Sequence, residues 1–241
     1  MSGHNKWASI KHKKAAVDAK RGQLFSKVIK EITVAARLGG GDPEGNARLR
    51  AVVLKAKEAN MPNVNIERAI KKGTGEIAGE QYEEINYEAY GPGGAALIIT
   101  ALTDNKNRTV AEIRSMLTKN GGNMGETGSV GWQFEKKGII SIEKNQVKSE
   151  DELMELVLEA GGEDIVTEEE GYTIKTDPRD FLTVLNILKN KNIATVEAEI
   201  EFTAKNLIDI EPDKREKLSR VIEMIEDNDD VQSVACNARF D

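Results

Sequence analysis

A single cysteine, Cys236, stands among 241 residues, so no internal disulfide can staple the chain. Histidine is nearly as scarce, with only His4 and His12. These two are eight residues apart and could share a helix face, but no third ligand accompanies them. No zinc-type spacing exists, and no metal site is expected. Nucleophilic catalysis needs a nucleophile, a base and a group that orients the base. Both imidazoles lie in a lysine-rich leader and no G-x-S-x-G occurs, which excludes a serine–histidine triad. The many carboxylates form no pair singled out by spacing. The expectation is therefore a protein with no catalytic residues and no cofactor, not an enzyme. No apolar run reaches the roughly 20 residues of a membrane span. The N-terminus, MSGHNKWASIKHKKAA, is basic but has no apolar core of the kind a signal peptide needs. The expected location is the cytoplasm, with no membrane partner.

Charge of one sign is missing in a more telling way. The net charge of −7 conceals a split. Residues 1–75 hold 16 Lys+Arg against 6 Asp+Glu, and the rest hold 18 against 35. A segment at +10 beside one at −17 points to a polyanion partner for the first. The plainer alternative is that the two parts attract each other or form solvated faces. The cations crowd most densely over residues 6–30: Lys6, Lys11, Lys13, Lys14, Lys20, Arg21, Lys27 and Lys30, with Trp7 and His12 among them. Clustered cations neutralise phosphates and release counterions. Trp7 could stack on a base or seat the leader on the helices behind it. Arg48, Arg50, Lys55, Lys57, Arg68, Lys71 and Lys72 extend the positive character. The candidate contact set is Lys6, Trp7, Lys11, His12, Lys13, Lys14, Lys20, Arg21, Lys27, Lys30, Arg48, Arg50, Lys71 and Lys72. No zinc finger, RNP aromatic signature or helix-turn-helix is legible, so the contacts should be mainly to the backbone.

Periodicity divides the chain. Leu24, Phe25, Val28, Ile29 and Ile32 fall at helical spacing, and Gly39-Gly40-Gly41 ends that helix. Asp42-Pro43 reads as N-cap and first helical position of a second helix running to about Asn60. A short third helix passes through Ile66, Ala69 and Ile70. Residues 73–79 read as a hinge. Beyond them, Ala95–Leu102 is a buried strand after a Tyr90–Gly94 turn, and a helix covers about 107–120. Residues 138–203 follow a βαββαβ order, the ferredoxin-like pattern. A helix after Pro212 and a strand at Val231–Ala235 would complete the strand and helix of residues 80–135. The expected fold is α+β with three domains. A basic helical bundle spans 1–78, a split α/β domain spans 79–137 and 204–241, and a ferredoxin-like domain at 138–203 is inserted into it. The loop Gly121–Gly131 carries a G-x-x-G-x-x-G spacing. It follows a helix and has no G-K-[ST], so it reads as a structural turn or docking loop and not as a nucleotide site.

Four stretches, GHNKWASIKHKKAAVDAKRGQLFSK, MPNVNIERAIKKGTG, YEAYGPGGAALIITALTDNKNRTVAEIR and GGNMGETGSVGWQFEKKG, make the chain resemble the YebC/PmpR family over essentially its whole length. The resemblance implies an N-terminal helical domain followed by two α/β domains. It also implies a cytoplasmic DNA-binding transcriptional regulator. Relatives, among them a mitochondrial translational activator of cytochrome oxidase, act in translation through the ribosome and its RNA. The expected partner is thus nucleic acid, either DNA or ribosomal RNA on the ribosome. The acidic domains are left to offer a face to a protein partner. Phosphate contacts carry no base information, so the cation pattern leaves both targets open.

Overall fold

The computed structural model describes residues 22–240. Two compact units emerge. One contains residues 22–131 and 210–234, and the other contains 132–209 and 235–240.

In the first unit three helices share one core. Helix α1 covers residues 22–39, α2 Ala47–Glu58 and α3 Asn63–Thr74. Val28, Ile32, Ala35 and Ala36 of α1 meet Leu49, Val52, Val53 and Ala56 of α2, with Met61, Ile66 and Ala69 closing the cluster. Each large side chain buried this way contributes about 1.5–3 kcal/mol. The stop at Gly40 is as expected; its φ of +87° is a conformation that favours glycine. The restart is not. Residues 42–45 form a turn in which the Glu44 amide donates to Asp42 Oδ1 (3.0 Å), and the N-cap of α2 is Asn46. The Asn46 amide group donates to the carbonyls of Ala35 and Gly40, both at 2.8 Å, while its Oδ1 accepts from the Leu49 amide. Asn46 thereby ties the end of α1 to the start of α2, which Asp42 has no geometry to do. The expected hinge also changes character. Gly73 lies inside α3 against α1, where a Cβ would strike the Thr33 carbonyl oxygen and stand 2.8 Å from the Ala36 Cβ. It permits helix contact; α3 ends only at Gly75, φ +81°.

Strand β1 (Glu83–Tyr90) pairs antiparallel with β2 (Ala96–Thr103), from Glu83 opposite Thr103 to Tyr90 opposite Ala96. β2 is the apolar run of the sequence and is buried along nearly all of its length. β1 is harder to see because Glu83, Glu84 and Glu88 interrupt its apolar residues. Helix α4 (Lys106–Lys119) buries Thr109, Ile113 and Leu117, so the inward line includes Thr109, whereas Val110 is only half-buried. The two-residue strand β3 (Asn123–Met124) extends the other edge.

The second unit opens with β4 (Phe134–Glu143), which starts four residues before Gly138. Then come α5 (Glu150–Glu159), β5 (Gly162–Thr167), β6 (Gly171–Thr176), α6 (Phe181–Asn190) and β7 (Glu197–Ala204). Ser149 caps α5, its Oγ accepting from the Glu152 amide at 3.3 Å. The sheet order is β5-β6-β4-β7 with antiparallel neighbours. That is the order a βαββαβ chain adopts in the ferredoxin-like fold. β7 alternates as expected but is an edge strand, with a neighbour on one side only. Ile200 faces Gly138 across the ladder and remains 45% exposed.

The chain then supplies α7 (Pro212–Glu226) and β8 (Val231–Cys236), and β8 joins β2 in the first sheet, giving the order β3-β1-β2-β8. The architecture is α+β with two antiparallel sheets. Among the described residues no helix is long and apolar enough to cross a membrane.

Candidate nucleic-acid interface

Of the candidate contact residues, Lys6, Trp7, Lys11, His12, Lys13, Lys14, Lys20 and Arg21 lie outside the described residues. The other six separate into distinct environments.

Lys27 and Lys30 occupy successive turns of α1 and point at the C-terminal end of α7. The last carbonyls of a helix have no intrahelical partner and carry partial negative charge. Lys27 Nζ donates to the Glu226 carbonyl at 2.6 Å, and Gln23 Nε2 donates to that of Asp227 at 2.5 Å. Lys30 Nζ donates to the Asp229 carbonyl at 2.9 Å and to Asp230 Oδ1 at 2.7 Å, and lies 5.4 Å from the Tyr82 ring centre. Its side chain is only 13% exposed. These contacts hold α1 in place.

Asp230 is the centre of this network. It is 4% exposed and also accepts from Arg108 (2.7 Å), Thr109 (2.7 Å) and Thr103 (3.2 Å). Burial pushes its carboxyl up, but the hydrogen bonds from Arg108, Lys30 and Thr109 and the Lys30 charge outweigh burial and bring it down to about 2. The adjoining cleft, about 300 Å³, is lined by Asp104, Glu112, Asp229 and Asp230 against Lys30 and Arg108. With four carboxylates and two cations it does not suit an anion.

Helices α2 and α3 carry the remaining cations. Arg48 pairs with Glu84 at 2.6 Å, Arg50 with Glu44 at 3.8 Å and Lys72 with Glu80 at 3.5 Å. Lys71 differs: it is exposed and makes no ion pair among the described residues. Arg68 and Lys57, which the candidate set omits, share both properties. On α3, Val64, Arg68 and Lys71 follow one another at i, i+4 and i+7, opposite the buried Ile66 and Ala69. Val64 is 70% exposed. The helical spacing of Ile66 and Ala69 was the signal for this outward stripe; counting charges does not find it.

The glycine-rich loop also resolves. The Glu88 carboxylate accepts from the amides of Gly128 (2.7 Å), Val130 (2.6 Å) and Gly131 (2.7 Å). Burial raises the Glu88 carboxyl, and the three amides overcome this and lower it. An array of amides that could hold a phosphate is here occupied by a side chain of the protein itself. The loop is a structural turn.

Comparison with known proteins covers nearly the whole chain. A family model described as the TACO1/YebC protein N-terminal domain matches residues 5–76, and one described as the TACO1/YebC second and third domain matches residues 82–238. A probable transcriptional regulatory protein of Syntrophus aciditrophicus is 56% identical over 238 residues, covering 98% of this chain and 95% of that protein. Another, from Desulfotalea psychrophila, is 55% identical over 242 residues, covering 100% and 96%. Among solved structures, a conserved hypothetical protein of Aquifex aeolicus is similar with a TM-score of 0.89 and 47% identity, over 97% of this chain and 96% of that one.

Proposed function

The chain belongs to the TACO1/YebC family, and from that premise we propose that it is a non-catalytic regulator of gene expression in the cytoplasm that binds DNA phosphates through its basic N-terminal segment. The observation that carries this reading is the division of labour among the cations. Lys27 and Lys30 are committed to α7 and Asp230, whereas Lys57, Arg68 and Lys71 are exposed and have no carboxylate partner among the described residues. The contact surface is therefore the outward side of α2 and α3 together with the lysine-rich leader at residues 6–21. The curated relatives' name, probable transcriptional regulatory protein, supports the regulatory role. Ribosomal RNA presents the same phosphates, so the test must include it.

The test is a salt series of binding to promoter duplex and to ribosomal RNA, using the full chain and the triple variant K57A/R68A/K71A. On duplex DNA the slope of log affinity against log salt should fall in magnitude by up to about 3, at roughly 0.9 per lost phosphate contact. Stability should change by less than about 0.5 kcal/mol, as for other surface substitutions. An unchanged slope on DNA refutes the α2–α3 surface. Tight binding to RNA with none to duplex at low salt refutes DNA as the target.

A further inference from the structure

Helix α5 of the second unit has a side that its own fold does not use. Its inward side is fixed. Leu153 and Val157 are buried, Ser149 caps the first turn, and Thr167 Oγ1 at the end of β5 donates to Glu150 at 2.6 Å. Its outward side is apolar and acidic at once. Met154 is 39% exposed and Leu158 is 52% exposed. Four residues apart, they are neighbours on the helix surface and form a short ridge. Either one alone would be ordinary surface. Asp151, Glu155 and Glu159, again four apart, run as a row along one flank of that ridge. All three are exposed, and none makes an ion pair among the described residues.

Nothing within the helix explains the row. Carboxylates in the first turn suit a helix N-terminus, which accounts for Glu150, Asp151 and Glu152. Glu159, however, is the last residue of α5, where the helix dipole disfavours negative charge. Asp151–Glu155 and Glu155–Glu159 are like charges one turn apart, which repel. The flanking sequence brings no relief: residues 149–174 contain ten Asp and Glu and no Lys or Arg. Local forces thus oppose the row, and its own segment supplies no counter-charge.

We propose that the outward face of α5 docks a basic amphipathic helix of a partner protein, whose apolar side chains cover Met154 and Leu158 while its Lys or Arg side chains meet Asp151, Glu155 and Glu159. Helices pack on helices through side chains three and four residues apart, which is the spacing of both the ridge and the row. Charge selects the occupant. Nucleic acid and anionic lipid are repelled by the carboxylates. A second copy of this chain meeting α5 through the same face adds carboxylates and no cation. The proposal goes beyond the nucleic-acid reading: the basic segment holds phosphates, and the second unit holds a protein.

The probe is a labelled synthetic helical peptide of about five turns, roughly 18 residues, with leucines at i, i+4 and i+7 spacing and lysines along one flank. Its control has the same composition in an order that scatters the leucines around the helix. Anisotropy of the label reports binding to the full chain, and amide shifts in two-dimensional NMR report the site. The patterned peptide should bind on the order of 10-fold more tightly than the scrambled one and should shift the α5 amides. M154S/L158S should remove that advantage, and D151N/E155Q/E159Q should weaken both peptides and flatten their salt dependence. The thermal midpoint of each variant should stay nearly unchanged, because the altered residues are exposed. Equal affinity for the two peptides, unaffected by M154S/L158S, means that charge alone attracts them and overturns the docking site. Amide shifts confined to other elements overturn it as well. So does self-association of the chain, read by sedimentation, that M154S/L158S abolishes, since the face then belongs to a second copy. Each of these results leaves phosphate binding by the basic segment untouched.

Discussion

Replacing Asp230 with asparagine preserves the shape of the side chain and removes its charge. In the native protein the carboxyl is held at about 2, against an ordinary value of 3.8. At roughly 1.4 kcal/mol per pKa unit, this difference contributes about 2.5 kcal/mol of stability at neutral pH. The direction follows from linkage. A depressed carboxylate stabilises fully above its unfolded value, and the contribution fades as pH falls through the folded one. By pH 3, roughly half should be gone. D230N should therefore lower urea stability by about 2–3 kcal/mol at pH 7, because it leaves the 13%-exposed Lys30 and its neighbour Arg108 without their shared counter-charge. The gap between wild type and variant should shrink by about half between pH 7 and pH 3. The other titrating carboxylates cancel in that difference. A double-mutant cycle with K30M then isolates the part carried by the Lys30–Asp230 pair. A loss below about 0.5 kcal/mol at pH 7, or a gap that does not move with pH, would refute the claim that this network holds α1 against the α7–β8 turn.

E88A removes the acceptor for three loop amides. It should cost about 2–3 kcal/mol and speed hydrogen exchange at Gly128, Val130 and Gly131, read by two-dimensional NMR. G73A places a methyl group against the Thr33 carbonyl and Ala36, so α1 and α3 must separate; calorimetry should show a loss of about 1–3 kcal/mol despite the better helix propensity of alanine. N46A loses the cap of α2 and leaves the carbonyls of Ala35 and Gly40 without their side-chain donor, at a cost of about 1–3 kcal/mol in urea unfolding.

Much of the fold is written in periodicity. Ile32 and its helical neighbours, the apolar run of β2, and the βαββαβ order of residues 134–204 all follow from burial patterns that a linear reading detects. Asp42-Pro43 misleads because a local cap signature is weighed without knowing what lies nearby. Asn46 prevails since its amide group reaches two carbonyls at the end of α1, a contact between segments 11 and 6 residues apart. β1 is obscured for a related reason: Glu88 looks like a solvated strand residue until the loop 40 residues later folds its amides onto it.

Composition alone determined that the first 75 residues carry an excess of cations and the remainder an excess of carboxylates, the pattern from which a polyanion partner is proposed. Which cations are free to meet that partner was decided only by tertiary structure. Lys30 and Lys71 are indistinguishable as letters in a basic segment. Folding brings the first within 2.7 Å of Asp230, 200 residues away, and leaves the second exposed without an ion pair among the described residues. A charge's availability depends on its distance to opposite charges, and that distance is set by the packing of the whole chain.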